Sequence, residues 1–273
     1  MEHTKRMATP VLVIYYLLVI ALAMLVNLVL FPGPWFDPLE RASAGLVNAT
    51  LQANLLGLLL FALFVFWLGR LRPAAVGLEW GKLPRALLLT GLLWLAMQAV
   101  CLVISAVMGG VSLDPAWTRR GVSGMFGLLI SQLLGNALAE ELVYRGLLLP
   151  QFFLRLRIAS RKWRTTAAAA LMLALFILSH IPNRIFQGYS VGGMLLDAPI
   201  LLLWGLLFTI VYLRTGNLFL AVGIHALVNE PTLVSGFTLF PPQLILLALV
   251  ILLLIFWRKE KPAAVSAMET AQR

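Results

Sequence analysis

The chain has 273 residues, of which 61% are hydrophobic and only 12% are charged. Soluble domains contain about 25% charged residues, so the composition excludes an ordinary soluble domain and indicates a membrane protein. The formal charge of +10 does not indicate a nucleic-acid partner, because the basic residues stand in short segments between apolar runs instead of on one face.

The first apolar run, at 10–32, follows Lys5 and Arg6 as the core of a signal peptide would. It is too long for that role, because the hydrophobic region of a signal peptide measures about 7–15 residues. We therefore predict a first transmembrane helix, preceded by an N-terminal tail at 1–9.

Further apolar runs follow along the chain, and they are continuous instead of alternating with polar residues. A helix needs about 20 apolar residues to cross the hydrocarbon core, and only helices or closed barrels satisfy their backbone groups there. The pattern predicts an all-α, polytopic transmembrane helical bundle with about eight spans. We place them at 10–32, 45–69, 85–109, 123–149, 165–181, 192–213, 217–230 and 240–257.

Lysine and arginine are distributed unevenly between the loops, and cytoplasmic loops normally carry the excess. With the N-terminus inside, the cytoplasmic segments hold sixteen of these residues and the external loops hold four. We therefore expect both termini in the cytoplasm, a membrane domain at 10–257 and a C-terminal tail at 258–273. In a bacterial host the protein would be a multi-pass protein of the plasma membrane.

Ionisable side chains inside spans cost several kcal/mol unless they are paired or face a cavity, so each is a candidate site residue. They form three groups with a few polar and aromatic neighbours. In chain order the groups are Glu140, Glu141 and Arg145 in the fourth span, Phe176 and His180 at the end of the fifth, and His225 and Asn229 in the seventh.

Helical spacing separates the roles of the two adjacent glutamates. Glu141 and Arg145 are four residues apart on one helix face, so their charges can neutralise each other inside the bundle. Glu140 points about 100° away and has no local cation, which leaves it available to a group on another helix. His225 and Asn229 also share one face and can project into one cavity.

These residue types together predict hydrolytic chemistry. A carboxylate that is hydrogen-bonded to water, with a histidine sharing the proton, acts as a general base. An imidazole and an asparagine amide can donate hydrogen bonds to the oxyanion of a tetrahedral intermediate, and such a donor contributes about 2.7–4 kcal/mol in known cases.

In sequence order the groups read E-E-x3-R, F-x3-H and H-x3-N. Over about 120–230, with a motif core at 123–230, they resemble the motif set of the CAAX prenyl endopeptidase and bacteriocin-processing family of intramembrane proteases. The resemblance implies an eight-helix bundle that cleaves membrane-associated peptides or proteins in a cavity open towards the cytosol.

The resemblance also implies roles for individual residues. Glu140 is the catalytic carboxylate, His180 its partner in activating water, and His225 with Asn229 the oxyanion-stabilising pair. The supporting residues are Glu141, Arg145 and Phe176.

A metal site is the alternative to this arrangement. Glu140, His180 and His225 match a His2Glu zinc set with an open fourth position, as in a metalloprotease. The sequence lacks H-E-x-x-H, and Asn229 beside His225 suits an oxyanion hole better than a zinc shell. We favour no cofactor, with a divalent metal such as zinc as the alternative.

Other readings stay open at this stage. His180 can be a hydrogen-bonded residue at a helix end, and Asn229 can simply end a helix before Glu230 and Pro231. The whole chain can be a non-enzymatic membrane scaffold or immunity partner, or a transporter whose path the same residues line. Expected partners are the lipid bilayer and a peptide or membrane-tethered protein substrate, prenylated or not.

Counting along the helices leaves one difficulty. At 1.5 Å per residue from the basic segment at 155–164, Glu140 lies about 15–20 Å up the fourth helix and His180 about 24 Å up the fifth. The two meet only if the fifth helix begins below the membrane surface or tilts strongly.

Overall fold

The computed structural model describes residues 4–108, 110–237 and 239–258, so most of the predicted C-terminal tail and the first three residues lie outside the described ranges. Within these ranges the chain is helical, with one isolated antiparallel bridge between Leu113 and Ser235. Six helices are long and apolar enough to cross a membrane: α1 (Thr9–Leu30), α2 (Ala49–Leu68), α3 (Trp80–Met108), α4 (Pro115–Arg155), α5 (Arg161–Phe186) and α6 (Val191–Thr215).

Two shorter apolar helices complete the bundle, α7 (Leu218–Asn229) and α8 (Gln243–Phe256). They occupy the seventh and eighth predicted spans but contain only 12 and 14 residues. At 1.5 Å per residue they measure about 18 and 21 Å, less than the hydrocarbon core of about 30 Å. The all-α fold is confirmed in the described residues, and six of the eight predicted spans are helices long and apolar enough to cross a membrane.

Helix α7 is the centre of the bundle. Ten of its twelve residues are buried, from Leu218 to Val228 with Phe219 as the exception. The surrounding helices carry exposed apolar side chains such as Val107 on α3 and Leu196 on α6, as expected of lipid-facing surfaces. Because its neighbours cover α7, this helix can be shorter than the bilayer.

The segments predicted to be cytoplasmic meet at one end of the bundle, which we call the basic end (residues 4–8, 70–82, 155–164, 214–217 and 254–258). Hydrogen bonds tie these segments to one another: Thr4 Oγ1 to Ala75 O at 3.0 Å, Gln151 Nε2 to Lys5 O at 2.9 Å, Lys82 Nζ to Gly216 O at 2.8 Å, and Arg214 Nε to Leu254 O at 2.8 Å.

The other loops meet at the opposite end (residues 31–48, 110–124, 183–197 and 230–237). The connecting hydrogen bonds there are Asp114 N to Val234 O at 3.0 Å, Gly236 N to Ser112 O at 2.8 Å, and Asn183 Nδ2 to Asn27 Oδ1 at 2.8 Å. The grouping of loops therefore follows the division that lysine and arginine predicted.

Helix α4 is irregular on both sides of its two glutamates. Gly121 has the left-handed φ of 70° and kinks the helix after its first turns. Two π-helical segments, Ser131–Asn136 and Leu142–Leu148, flank the α-helical turn Ala137–Glu141. Such π segments occur frequently at functional sites, and here they enclose the turn that carries the candidate catalytic carboxylate.

Candidate active site

The three sequence groups converge on Glu140. Its Oε2 atom lies 3.7 Å from His225 Nε2 and 4.0 Å from His180 Nε2. The side chain of Glu140 is 21% exposed, whereas that of Glu141 is fully buried. Glu140 Oε2 has no hydrogen-bond partner in the described structure, so one carboxylate oxygen is left facing two imidazoles.

The neighbouring glutamate has a different environment. Glu141 Oε1 accepts hydrogen bonds from Arg145 Nη1 at 2.9 Å and from His225 Nδ1 at 2.8 Å. The ion pair between Glu141 and Arg145 was predicted from spacing, but the contact with His225 was not. Because a carboxylate only accepts, Nδ1 of His225 carries a proton, and Nε2 is the atom that faces Glu140.

Arg145 is held from three sides without exposure to solvent. Its Nη2 donates to the Gly205 carbonyl at 2.6 Å and its Nε to Thr209 Oγ1 at 3.3 Å. The guanidinium also lies over the rings of Phe176 and Phe208, at 5.0 and 5.5 Å from their centroids. These contacts hold the guanidinium of Arg145 in the position from which it donates to Glu141.

Helix α6 approaches this cluster closely because Gly205 has no side chain. A Cβ atom at Gly205 would lie 2.9 Å from Leu173 Cδ2 and 3.1 Å from Phe176 Cδ1. Both distances are tighter than ordinary van der Waals contact. Glycine therefore lets the helix come close enough for its carbonyl to accept from Arg145.

His180 lies at the bend where the regular helix Arg161–Ser179 ends and the short helix Ile181–Phe186 begins. Its Nδ1 is 2.7 Å from the carbonyl oxygen of Phe176. A carbonyl only accepts, so Nδ1 carries a proton and Nε2 is the atom that faces Glu140. Phe176 also packs edge-on against the imidazole at 4.6 Å, so it walls the site as predicted from its spacing.

The structure brings Glu140 and His180 together, although counting along the sequence placed them at different depths. Their facing atoms, Glu140 Oε2 and His180 Nε2, are 4.0 Å apart. The first buried residue of α5 is Ala168, two turns into the helix, and from Ala168 to His180 is about 18 Å at 1.5 Å per residue. Measured from its first buried residue, α5 therefore places His180 at the depth expected for Glu140.

Asn229 is the last residue of α7, which ends immediately before Glu230 and Pro231. Its Nδ2 donates to Gln132 Oε1 at 3.0 Å, and the same oxygen accepts from Asn136 Nδ2 at 3.3 Å. Gln132 therefore orients the Asn229 amide by accepting one of the two N–H groups of Nδ2. The second N–H of Nδ2 takes no part in this hydrogen bond.

Of the candidate residues, all except the buried pair Glu141 and Arg145 line one cavity of about 580 Å³. Its walls come from α1, α2, α4, α5, α6 and α7. The polar lining residues are Tyr15, Asn27, Thr50, Asn54, Gln132, Asn136, Glu140, Tyr144, Ser179, His180, Asn183, Arg184, Gln187, His225 and Asn229. The apolar part includes Leu22, Leu58 and Phe61, so the cavity can accommodate both a peptide backbone and apolar groups.

Sequence reasoning missed several of these polar residues. Gln132 and Asn136 precede Glu140 by eight and four residues, so a polar stripe on α4 was readable from the sequence. Tyr144 was not singled out either, although its hydroxyl hydrogen-bonds Ser179 Oγ. Phe208 gave no polar signal, yet it stacks on His225 with ring centroids 4.3 Å apart.

The described residues do not fit the metal alternative. No group of three or more His, Cys, Asp or Glu side chains in the described ranges has a geometry that could hold a metal ion. Glu140, His180 and His225 are close together, but the metalloprotease interpretation has no support from their arrangement.

The two glutamates of the site differ in their charged partners. Glu141 is paired with Arg145 at 2.9 Å, whereas Glu140 Oε2 has the two imidazoles opposite it, at 3.7 Å from His225 Nε2 and 4.0 Å from His180 Nε2. Glu140 is therefore the carboxylate that is open to a further group in the cavity.

Comparison with known proteins gives one finding. The family described as Type II CAAX prenyl endopeptidase Rce1-like matches residues 122–230. No curated protein and no solved structure matches the chain. The matched segment contains every candidate site residue, from Glu140 to Asn229, and six long apolar helices together with a membrane protease family indicate an integral membrane protein. The resemblance predicted from the three motifs is thus confirmed: the segment at 122–230 matches the Rce1-like type II CAAX prenyl endopeptidase family.

Proposed function

We propose that the protein is an intramembrane endopeptidase that hydrolyses a peptide bond of a membrane-associated or lipidated peptide or protein. The observation that supports this most directly is the position of Glu140 Oε2, which has no hydrogen-bond partner and faces Nε2 of both His180 and His225. A carboxylate so placed in a cavity of about 580 Å³ is suited to activate water beside a bound peptide.

In the proposed reaction, water binds between Glu140 and His180. The separations of 4.0 and 3.7 Å from Glu140 Oε2 to the two Nε2 atoms are too long for direct hydrogen bonds, and a bridging water suits such gaps. Glu140 takes a proton from the water while the lone pair of His180 Nε2 accepts its second hydrogen. The water oxygen attacks the peptide carbonyl carbon.

The attack produces a tetrahedral intermediate with an oxyanion. His225 protonated at both nitrogens donates Nε2–H to that oxygen while Glu141 holds Nδ1–H. The free N–H of the Asn229 amide provides the second donor. Glu140 then returns its proton to the departing nitrogen, the C–N bond breaks, and water has been added across the peptide bond.

An open channel would need openings at both ends. The described lining residues include none from the basic end, where fully buried side chains such as Leu147 and Leu148 lie below Arg145. The arrangement supports a reaction chamber more than an open channel. A measurement of peptide cleavage distinguishes the protease role from a scaffold role, because a scaffold does not cleave peptides.

The direct test is cleavage of a panel of lipidated fluorogenic peptides by the purified protein in detergent. We expect the wild type to cleave at least one peptide, and His225→Ala to lose that activity because both the oxyanion donor and the partner of Glu141 disappear. A zinc chelator should leave the rate unchanged. Cleavage that is lost with chelator and restored by zinc would contradict the metal-free mechanism, and no cleavage of any peptide by a folded wild type would favour the scaffold role.

Gln132 should influence the rate through Asn229. In Gln132→Leu the amide of Asn229 loses its acceptor, and one neutral hydrogen bond contributes about 0.5–1.5 kcal/mol, so we expect a fall in kcat of up to about tenfold. Gln132→Glu keeps an oxygen acceptor at the same position and should retain most of the activity. Equal losses in both variants, with KM changed instead of kcat, would contradict this positioning role.

A further inference from the structure

The active-site cavity reaches only one end of the bundle. Its lining runs from Tyr15 and Phe61, about two helical turns inside the ends of α1 and α2 that lie at the basic end, to Phe31, Thr50 and Gln187 at the opposite end. None of the described lining residues belongs to the basic end. Access to Glu140 is therefore from the end that carries the loops at 31–48 and 183–197.

The two ends differ strongly in charge. Outside the site, the loops and helix ends at the opposite end hold four arginines and five acidic residues. At or near the basic end, the described residues include thirteen lysines and arginines and one acidic residue, Glu79. The arginine at the cavity mouth is neutralised as well, because Arg184 Nε is 2.6 Å from Asp197 Oδ2. By the distribution of positive charge, the basic end faces the cytoplasm.

These two observations conflict with a cavity open towards the cytosol, which the motif resemblance implied. We infer that the site is reached from the extracytoplasmic side of the membrane. If the proposed protease function holds, on which this inference rests, the substrate is a peptide or tethered protein whose scissile bond lies at the extracytoplasmic surface.

The cavity mouth indicates how such a substrate is received. Amide and guanidinium groups of Asn27, Asn183 and Arg184 form a connected network there, with Asn183 Nδ2 donating to Asn27 Oδ1 at 2.8 Å and Arg184 Nη1 donating to Asn183 Oδ1 at 3.1 Å. Neutral amides and a compensated ion pair suit an uncharged backbone segment better than an anionic group. The substrate class is therefore a largely uncharged peptide segment.

The first test is the accessibility of single cysteines. Cys101 is the one cysteine of the chain and is buried, so Cys101→Ser provides a cysteine-free background. We add Gln187→Cys at the mouth and, as the matched control, Ser160→Cys at the basic end; both positions are exposed. Intact cells are treated with a membrane-impermeant maleimide.

We expect Gln187→Cys to be labelled in intact cells and labelling of Ser160→Cys to be lost unless the membrane is permeabilised. Labelling of Ser160→Cys from outside, whether alone or equally with Gln187→Cys, overturns the inference. As a control, the labelling of each variant is measured again after the membrane is permeabilised. Both cysteines should then react if the protein is folded and inserted.

The second test separates sidedness from activity. A soluble fluorogenic peptide is added to right-side-out and to inside-out membrane vesicles, and each sample is then lysed with detergent. Cleavage by right-side-out vesicles, with latent activity in inside-out vesicles, supports the inference, and the reverse pattern overturns it. Absence of cleavage even after lysis counts against the proposed protease function, and the cysteine labelling then decides the sidedness by itself.

Discussion

Replacing Glu140 with glutamine is expected to lower kcat by about 10²–10⁴-fold, the range that a positioned general acid or base contributes. The amide keeps the shape of the carboxylate but cannot accept a proton from the water that binds between residue 140 and His180. Substrate binding should change little, so KM is expected to stay within a few-fold of the wild-type value. Steady-state kinetics on the best peptide of the panel measure both constants.

The matched control for this experiment is Glu79→Gln. Glu79 is an exposed carboxylate at the basic end, paired with Lys82 at 2.8 Å, so this change should leave kcat unaltered. Thermal unfolding in detergent should give similar Tm values for both variants. Activity of Glu140→Gln within tenfold of the wild type would show that another group activates the water.

Arg145→Met is expected to have the largest effect on stability. The change removes the cation beside Glu141 in a site where both side chains are fully buried. Removing one partner of a buried ion pair costs about 3–5 kcal/mol, because it leaves an uncompensated charge. The variant should therefore unfold at a clearly lower temperature in detergent, measured by scanning calorimetry or by a thiol-reactive dye at Cys101.

A second substitution distinguishes charge from packing. In Glu141→Gln combined with Arg145→Met, neither charge remains, and the amide oxygen of residue 141 can still accept from His225 Nδ1. We expect the double variant to recover much of the stability that Arg145→Met loses, since the two effects are coupled. Additive losses would mean that the packing of Arg145 on Phe176 and Phe208 dominates instead.

Several features of the site were predictable because they depend on spacing along one helix. The pair Glu141 and Arg145 forms as expected for residues four apart, and Glu140 projects in a different direction. Phe176 and His180 contact each other for the same reason. In each case the regular geometry of a helix fixes the contact before any packing takes place.

Contacts between helices were less accessible to sequence reasoning. The hydrogen bond from His225 to Glu141 joins residues 84 positions apart, and the one from Asn229 to Gln132 joins residues 97 apart. Each depends on how α7 is rotated against α4, which neighbouring side chains determine. The length of α7 was likewise not readable from the sequence, because its burial at the centre of the bundle removes the need for a bilayer-length helix.

The sequence by itself determined that the chain is an α-helical membrane protein, that its basic loops belong to one side, and that three short motifs carry its candidate chemistry. Composition, apolar run length and residue spacing are sufficient for these conclusions, because they act within single segments. The tertiary structure decided that Glu140 faces two histidines, that Glu141 holds one of them, and that the cavity opens away from the basic end. These features follow from helix tilt, rotation and depth, which are set by packing between helices and not by any one of them.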